Sequence, residues 1–382
     1  MNNKSIKYAG FYDVSANKSE NRMHSVSAVN KMNYIIHTLK EIGYVVDVIS
    51  PSWTNNNNFY KGKLTKESGN MNLKLFSTLP WRGKIFKLLS ILFSSVQFFF
   101  YLLKNMKKKE QIVVYHSKWL SIPIILLKTI RNDIVLILEV EEIYDDIQPS
   151  KFWRFIEYKV FNLADKFIFS TELLNSKLNH RGKAFAVAHG AYLAEPIREE
   201  SLETQEIKIV YAGTFDQKKG GVTTAISTAR YLPENYHVHI IGFGTEEEVK
   251  KVVKLVNEIS QFGKSKVSYA GLLQGEEYIK FLQKCHIGLS TQTSVGEYNQ
   301  TSFPSKVLSY MSNGLRVVSV RIKAIEKSAI GDSIYYYDEQ DPSAVAKAIM
   351  SIDFNENYNS REIIQKLDDD FKNELNKLLE QL

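Results

Sequence analysis

Hydrophobic residues along the chain follow two alternating spacings. Short, largely apolar runs at 6–12, 44–49 and 133–138 predict buried strands. Between such runs, segments including 23–42 and 120–130 carry apolar residues every three or four positions, which predicts helices. Strands separated by helices are typical of a parallel sheet that is covered on both faces. The sequence therefore predicts an α/β protein built from doubly wound units.

This alternation is interrupted once and then restarts. Residues 193–206 are rich in Glu, contain Pro196 and lack hydrophobic periodicity, which is typical of a linker. A chain of 382 residues also exceeds one ordinary core. We therefore predict a Rossmann-like domain at 1–192, the linker, a second Rossmann-like domain at 207–355 and a C-terminal helix within 356–382. Two such domains are expected to face each other across a ligand-binding cleft.

The segment 85–103 needs a separate interpretation, because it is nearly long enough to cross a bilayer, which takes about 20 apolar residues. Its polar residues recur at steps of three and four, and basic residues flank both ends. The polar stripe consists of Lys87, Ser90, Ser94, Gln97, Tyr101, Lys104 and Lys108. Two interpretations stay open: a core helix, or a helix that packs by one flank while its apolar arc enters an anionic membrane surface.

Charge and composition narrow the class of partner. The net charge of +7 and the pI near 9.0 favour anionic partners. The lysines are spread over both predicted domains, which argues against a nucleic-acid partner. The single cysteine, Cys285, excludes an intramolecular disulfide, and the N-terminus lacks the apolar segment of a secretory signal. We expect a cytoplasmic protein.

One stretch, 301–320, has the pattern of a phosphate-binding turn. Ser302 is a suitable N-cap and Pro304 suits a first helical turn, so Ser305 and Lys306 are predicted at a helix N-terminus. Backbone N–H groups at that position and the Lys side chain both attract phosphate.

Two other predicted strand-to-helix turns carry similar residues. The first strand of the second half runs into Gly213 and then Lys218 and Lys219, and the next strand ends at Gly242. Glycine allows the backbone to approach a ligand, and lysine neutralises its charge. Parallel strands bring these turns to the same edge as Lys306, so we predict a site for a nucleotide that contains a diphosphate.

These segments resemble the nucleotide-sugar-binding domain of retaining GT-B glycosyltransferases of the family 4 type. The matching pieces are YAGTFDQKKGG, IIGFGTEEE, YAGLL, FPSKVLSYMSNGLRVVS and IGDSIYYYDEQDPSAVAKAI, in that order. The N-terminal half resembles the same group less specifically, through LKEIGYVVDVIS, IVVYHSKWLSIP and VAHGAY. The resemblance covers nearly all of the chain. It implies two Rossmann-like domains and transfer of a sugar with retention, without a cofactor or bound metal.

The resemblance also implies which residues hold the donor. They are Gly213, Thr214, Lys218, Lys219, Gly220, Gly242, Leu272, Glu297, Thr301, Ser302, Phe303, Pro304, Ser305, Lys306 and Ser309. The sequence departs from the group's pattern at three of them. Thr301 and Ser309 stand where the group usually has glutamates, the second of which normally binds ribose hydroxyls, and Thr214 replaces a frequent Arg. Glu297 is the candidate substitute for the first glutamate.

The N-terminal half is expected to supply the acceptor site. Glu141 and Glu142 follow the predicted strand LILEV, and His116 follows IVVY. Carboxylates at a strand end suit hydrogen bonding to sugar hydroxyls, so we predict these three as catalytic. A solvated acidic turn and a structural histidine are the alternatives. Arg22 is predicted to reach the diphosphate from the N-terminal domain.

Three functions follow, of which the first is preferred. The chain transfers a sugar from a nucleotide-diphosphate donor to a lipid-linked or glycan acceptor, on the inner face of the cell membrane, in the assembly of capsule, exopolysaccharide or another surface polysaccharide. Alternatively it is a nucleotide-sugar epimerase on the same fold. Thirdly, it is a non-catalytic GT-B-like partner, with Thr301 and Ser309 marking a lost donor site.

Overall fold

The chain forms two compact α/β units. Unit 1 comprises residues 1–191 and 371–382, and unit 2 comprises residues 192–370. The computed structural model describes residues 4–13, 19–67, 69–147, 149–198, 205–216, 221–292 and 301–381. Both units contain a largely parallel sheet with helical connections, which confirms the predicted fold class.

Unit 1 is built on an eight-stranded sheet in the order β3-β4-β2-β1-β5-β6-β7-β8, parallel except for β3. Its strands are β1 Lys4–Ala9, β2 Tyr44–Ser50, β3 Lys63–Glu67, β4 Met71–Leu75, β5 Gln111–Tyr115, β6 Val135–Val140, β7 Lys166–Phe169 and β8 Phe185–Val187. Its helices are α1 Val26–Glu41, α2 Gly83–Asn105, α3 Lys118–Ile130, α4 Tyr144–Ile147, α5 Lys151–Leu163 and α6 Glu172–Leu178. The central strands are buried along most of their length, as strands covered on both faces must be.

Helix α2 buries polar side chains against the protein and exposes many of its apolar side chains, the reverse of an ordinary amphipathic helix. The middle of its polar stripe faces the protein: Ser94 Oγ donates to the carbonyl of Pro51 at 2.6 Å, and Gln97 Nε2 donates to that of Ser77 at 3.0 Å. Much of its apolar arc is exposed instead, with 74 % exposure at Ile85. Among the helices of the described chain, α2 is the one that is long and apolar enough to cross a membrane, by length and composition alone.

Unit 2 is built on a six-stranded sheet of parallel strands in the order β11-β10-β9-β12-β13-β14. Its strands are β9 Ile207–Thr214, β10 Tyr236–Phe243, β11 Lys266–Tyr269, β12 Ile287–Ser290, β13 Arg316–Val320 and β14 Ile334–Tyr337. Its helices are α7 Gly221–Thr228, α8 Glu246–Phe262, α9 Gly275–Gln283, α10 Ser305–Ser312, α11 Lys323–Glu326 and α12 Pro342–Met350.

The last helix, α13 Ser360–Glu380, contributes to both units. Its residues from Phe371 onward belong to unit 1, where the Phe371 ring stacks on that of Tyr34 with centroids 5.7 Å apart. Lys166 Nζ donates to the carbonyl of Leu378 at 2.7 Å. The end of the chain thereby completes the core of unit 1.

The orientation of α2 leads to a stability prediction. Phe98 is 0 % exposed in the core of unit 1, whereas Phe100 on the same helix is 58 % exposed. Phe98→Ala should lower the free energy of unfolding of unit 1 by about 3–5 kcal/mol, because it leaves a cavity. Phe100→Ala should change it by less than about 0.5 kcal/mol.

Urea denaturation followed by tryptophan fluorescence measures both values. All four tryptophans, Trp53, Trp81, Trp119 and Trp153, lie in unit 1, so their emission reports the unfolding of that unit. Equal losses in the two variants would contradict the orientation of α2.

Candidate functional site

The carboxyl ends of the parallel strands in unit 2 form one edge of the sheet. The chain order reverses between β9 and β12, which are neighbours in the sheet. Such a switch point leaves a crevice at the carboxyl ends of the two strands, where ligands bind in open α/β sheets. Gly213 and Thr214 end β9 there, and Ser290 ends β12.

Two glycines keep side chains out of this edge. Gly242 pairs with Gly213 across β9 and β10, and a Cβ atom on Gly242 would lie 1.8 Å from the Gly213 carbonyl oxygen. Gly242 also has a φ of +144°, a conformation that favours glycine. Glycine is therefore required at position 242, where β10 meets β9 at this edge, and a contact of Gly213 or Gly242 with a ligand stays a prediction.

Lys306 supplies the positive charge at the same place. Its Nζ lies 4.4 Å from the centre of the Tyr211 ring, and a Cβ atom on Gly213 would lie 3.3 Å from it. Burial, with a smaller contribution from the Asp216 charge, raises the pKa of Tyr211 to about 12, so the ring beneath the ammonium is a neutral phenol. The structure thus brings Gly213 and Lys306 together.

The turn before α10 differs from the prediction by a few residues. The prediction that Ser302 caps the helix is wrong: Pro304 occupies the N-cap position in an extended conformation, and the helix begins at Ser305. Pro304 and Phe303 are buried, while Ser305 is exposed. No side chain caps the helix start. Its first turn therefore offers backbone N–H groups that have no acceptor within the helix.

Tyr310 holds α10 in position, a role that is not predicted from the sequence. Its hydroxyl accepts from the Ala212 N–H on β9 at 2.8 Å and donates to the Leu289 carbonyl on β12 at 3.3 Å. A Cβ atom on Gly288 would lie 2.3 Å from the Tyr310 ring, so the helix approaches β12 where that strand has no side chain. Glycine inside a short buried strand was the available signal.

The remaining described donor-site candidates lie around this edge. Ser309, which stands where the resemblance places a glutamate, has its Oγ 3.1 Å from the hydroxyl of Tyr278 on α9. Leu272 follows β11 and is 51 % exposed, Thr214 is exposed, and Thr301 and Ser302 are partly buried.

Four candidates, Lys218, Lys219, Gly220 and Glu297, lie outside the described residues. The segment that contains the first three re-enters the described chain at Gly221, whose carbonyl accepts from Thr291 Oγ1 at 2.7 Å. Gly221 therefore begins α7 next to the end of β12.

Unit 1 carries a buried carboxyl at the corresponding edge of its own sheet. Glu139, near the end of β6, is 0 % exposed, and the Tyr8 hydroxyl donates to its Oε2 at 2.5 Å. Burial raises the pKa of the Glu139 carboxyl to about 8, and the nearby Glu141 charge acts in the same direction. Glu139 is therefore largely protonated at neutral pH, a state that the sequence analysis did not anticipate.

Glu141 and Glu142 follow β6 at this edge and are both partly buried. A Glu141 oxygen lies 3.6 Å from the Nζ of Lys31, which α1 contributes and which also donates to the Ala188 carbonyl. Burial raises the pKa of Glu141, while the Lys31 charge opposes that shift. The structure thus places both predicted glutamates at the carboxyl end of β6, and Glu141 lies next to a buried lysine.

His116 is buried inside unit 1, whereas a catalytic side chain would be expected at the surface of a binding site. It is 3 % exposed, and its ring lies between those of Tyr144 and Phe161, with each centroid 5.0 Å away. Its Nε2 is 3.5 Å from Glu157 Oε1. Burial lowers the pKa of His116 to about 3, so the ring is neutral. This environment is that of a core histidine at the end of β5.

Arg22 also differs from its predicted environment. It is 2 % exposed, and its guanidinium donates to the Glu20 carboxylate at 2.6 Å and to the carbonyls of Ser52 at 2.9 Å and Phe76 at 3.0 Å. These contacts tie together three loops of unit 1. They account for Arg22 without the predicted diphosphate contact.

The described residues contain no group of three or more His, Cys, Asp or Glu residues that could hold a metal ion. Independence from metal stays a prediction.

The protonation of Glu139 predicts a pH-dependent stability. Its pKa is higher in the folded than in the unfolded chain, so ionisation favours unfolding. The free energy of unfolding should fall as pH rises from about 4.5, the ordinary value, to about 8, by a few kcal/mol. Glu139→Gln keeps an acceptor for Tyr8 and should lack this fall, which urea denaturation at several pH values measures. Parallel pH curves would mean that Glu139 is ionised in the folded protein.

Comparisons with known proteins agree with this geometry. Residues 206–352 match the family Glycosyl transferases group 1. A search of curated proteins gave no match. Three similar solved structures differ widely in sequence from this chain. A sucrose-phosphate synthase from Thermosynechococcus elongatus is 13 % identical, with a TM-score of 0.70 over 99 % of this chain and 98 % of that one.

The second is the trehalose-6-phosphate structure from E. coli bound with UDP-2-fluoro glucose, which is 11 % identical, with a TM-score of 0.68 over 99 % of both chains. The third is the α,α-trehalose 6-phosphate synthase from Burkholderia multivorans, which is 10 % identical, with a TM-score of 0.66 over 98 % of this chain and 96 % of that one. The family match and the fold agree: residues 206–352 form a domain of the Glycosyl transferases group 1 family, and the chain as a whole has the GT-B fold of these solved structures.

Proposed function

We propose that the chain transfers a sugar, with retention, from a nucleotide-diphosphate donor to a lipid-linked or glycan acceptor in the assembly of a surface polysaccharide. The observation that carries the donor part is the edge formed by Gly213, Gly242 and Lys306, which lies inside the domain that matches the glycosyltransferase family. Backbone without side chains, a helix N-terminus and a lysine together suit a diphosphate.

This arrangement has a direct catalytic use. Breaking the bond between sugar and diphosphate leaves negative charge on the departing phosphate. The ammonium of Lys306 and the N-terminus of α10 are already in place to stabilise that charge, so the protein need not reorganise during the reaction. In this proposal the chemistry needs no bound metal.

UDP sugars are the first donors to test, because the E. coli structure with the same fold was bound with UDP-2-fluoro glucose. The ribose contact is the place where this chain should differ from its group. Ser309, whose Oγ lies 3.1 Å from the Tyr278 hydroxyl, stands where a glutamate is usual, and a neutral hydroxyl binds sugar hydroxyls more weakly than a carboxylate does.

We place the acceptor at the carboxyl edge of unit 1. Glu141 and Glu142 follow β6 there and suit hydrogen bonding to sugar hydroxyls. The outward apolar arc of α2 supports a lipid-linked acceptor, because a helix of this kind would bring the enzyme to a membrane surface. We therefore propose a peripheral protein on the cytoplasmic face of the cell membrane.

The donor site is tested at Lys306. Lys306→Ala should raise the Kd for UDP or a UDP sugar by about 10-fold to 100-fold, because it removes a charged contact worth about 1.5–3 kcal/mol. Isothermal titration calorimetry measures this change.

Lys254→Ala is the matched control, since its side chain is 80 % exposed on α8 and away from the strand ends. It should bind like the unchanged protein. A Kd for Lys306→Ala within twofold of that value, at unchanged thermal stability, would remove Lys306 from the donor site.

A further inference from the structure

Three helices of unit 1 form a continuous layer on one face of its sheet. Helices α2, α3 and α5 connect β4 to β5, β5 to β6 and β6 to β7, and all three connections run in the same direction across the sheet. Right-handed crossovers place such helices on the same face. Helix α3 packs against both α2 and α5. We call this the α2–α3–α5 layer.

The outward side of the layer is apolar. Each helix turns a pair of large apolar side chains outward: Leu92 and Val96, Ile122 and Leu126, and Phe152 and Phe155, all between 39 % and 64 % exposed. About half of the exposed large apolar side chains in the described chain belong to this layer. The outer surface of a doubly wound domain is ordinarily polar, and apolar patches of this extent mark interaction surfaces.

The charges of the layer have one sign. Within the three helices, all of which are fully described, the charged residues are lysines and an arginine apart from Glu157. Glu157 is 3 % exposed and accepts from the backbone N–H groups of Tyr144 and Asp145, so it contributes no acid to the outer surface. The basic side chains Lys84, Lys87 and Lys104 lie near the two ends of α2. An apolar surface with a basic rim is complementary to anionic lipid.

All four tryptophans of the chain cluster where these helices begin. The Trp53 ring is 5.5 Å from that of Trp81 and 5.6 Å from that of Trp119, which is 5.9 Å from that of Trp153. Trp81 precedes α2, Trp119 lies in the first turn of α3, and Trp153 lies in that of α5. Tryptophan favours the headgroup region of a bilayer, where one side of the ring is apolar and the other is wet.

We infer that the α2–α3–α5 layer docks unit 1 on the surface of an anionic bilayer, with its basic residues at the headgroups and its outward apolar side chains below them. Pairing of two copies through this face is disfavoured, because the three helices carry basic residues and no exposed acid, so two such faces repel each other. The inference deepens the proposed function, on which it rests for the choice of partner, by extending the docking surface from α2 to three helices.

Vesicle binding with the full-length protein tests the inference. Large unilamellar vesicles of phosphatidylcholine, alone or with increasing phosphatidylglycerol, contain neither donor nor acceptor, so docking is measured independently of sugar transfer. Tryptophan emission should shift to the blue and be quenched by brominated lipid chains, because Trp119 is 42 % exposed at this surface and Trp81 and Trp153 are partly exposed. Affinity should rise with the anionic fraction and fall with added salt.

The combined change Leu92→Gln, Val96→Gln, Ile122→Gln and Leu126→Gln should weaken binding by at least about tenfold. The changes Phe262→Gln and Met350→Gln, at exposed positions of unit 2, are the matched control and should leave binding unchanged. Residue Phe98 is unsuitable for this test because it faces the core.

A variant of the basic residues separates the electrostatic contribution to vesicle binding from the apolar contribution. Lys84→Gln, Lys87→Gln and Lys104→Gln together should weaken binding to anionic vesicles, whereas the same change at Lys250, Lys251 and Lys254 on α8 should not.

Two outcomes would overturn the inference. One is vesicle binding that is absent, or equal in the layer variants and the controls. The other is a wild-type dimer in sedimentation velocity that becomes monomeric in the apolar variant, since the layer would then bind a second copy. Weak UDP binding with intact docking would count against the proposed function alone.

Discussion

The hydroxyl of Tyr310 is the contact on which the proposed donor edge of unit 2 depends. It bridges Ala212 on β9 and Leu289 on β12, the two strands that part at the switch point. By holding α10 at a fixed height above both strands, it sets the position of Lys306 one turn earlier in the helix. Gly288 allows this approach by leaving no side chain beneath the ring. The proposed phosphate-binding edge thus relies on one buried phenol for its geometry.

Much of the fold follows from local patterns in the sequence. The alternation of apolar runs and helical segments predicted two doubly wound sheets, because each strand buried on both faces must be apolar almost throughout. Gly213, Gly242 and Lys306 were predicted together because the carboxyl ends of parallel strands always meet at one edge. These features depend on the spacing of apolar residues and on the direction of the strands, both of which are evident in a short segment of the sequence.

Features that depend on contacts between distant segments were not predictable in this way. The polar stripe of α2 is evident from the sequence, but the direction it faces depends on carbonyls of distant loops that accept from it, such as those of Pro51 and Ser77. The protonated state of Glu139 depends on Tyr8, Glu141 and complete burial, which no local pattern records. Pro304 replaced Ser302 as the helix cap because proline fits an extended backbone as well as a first helical turn.

Unit 1 is built from two separate parts of the chain, and this has a consequence for the order of folding. Its core includes Phe371 and the turns that follow it, near the end of the chain. During synthesis, domains generally fold as they leave the ribosome, beginning with the N-terminal one. Here all residues of unit 2 are made before the last helix turns of unit 1. Unit 1 is therefore completed only after unit 2 has been made, and its apolar surfaces stay accessible to chaperones until the residues from Phe371 onward have been synthesised.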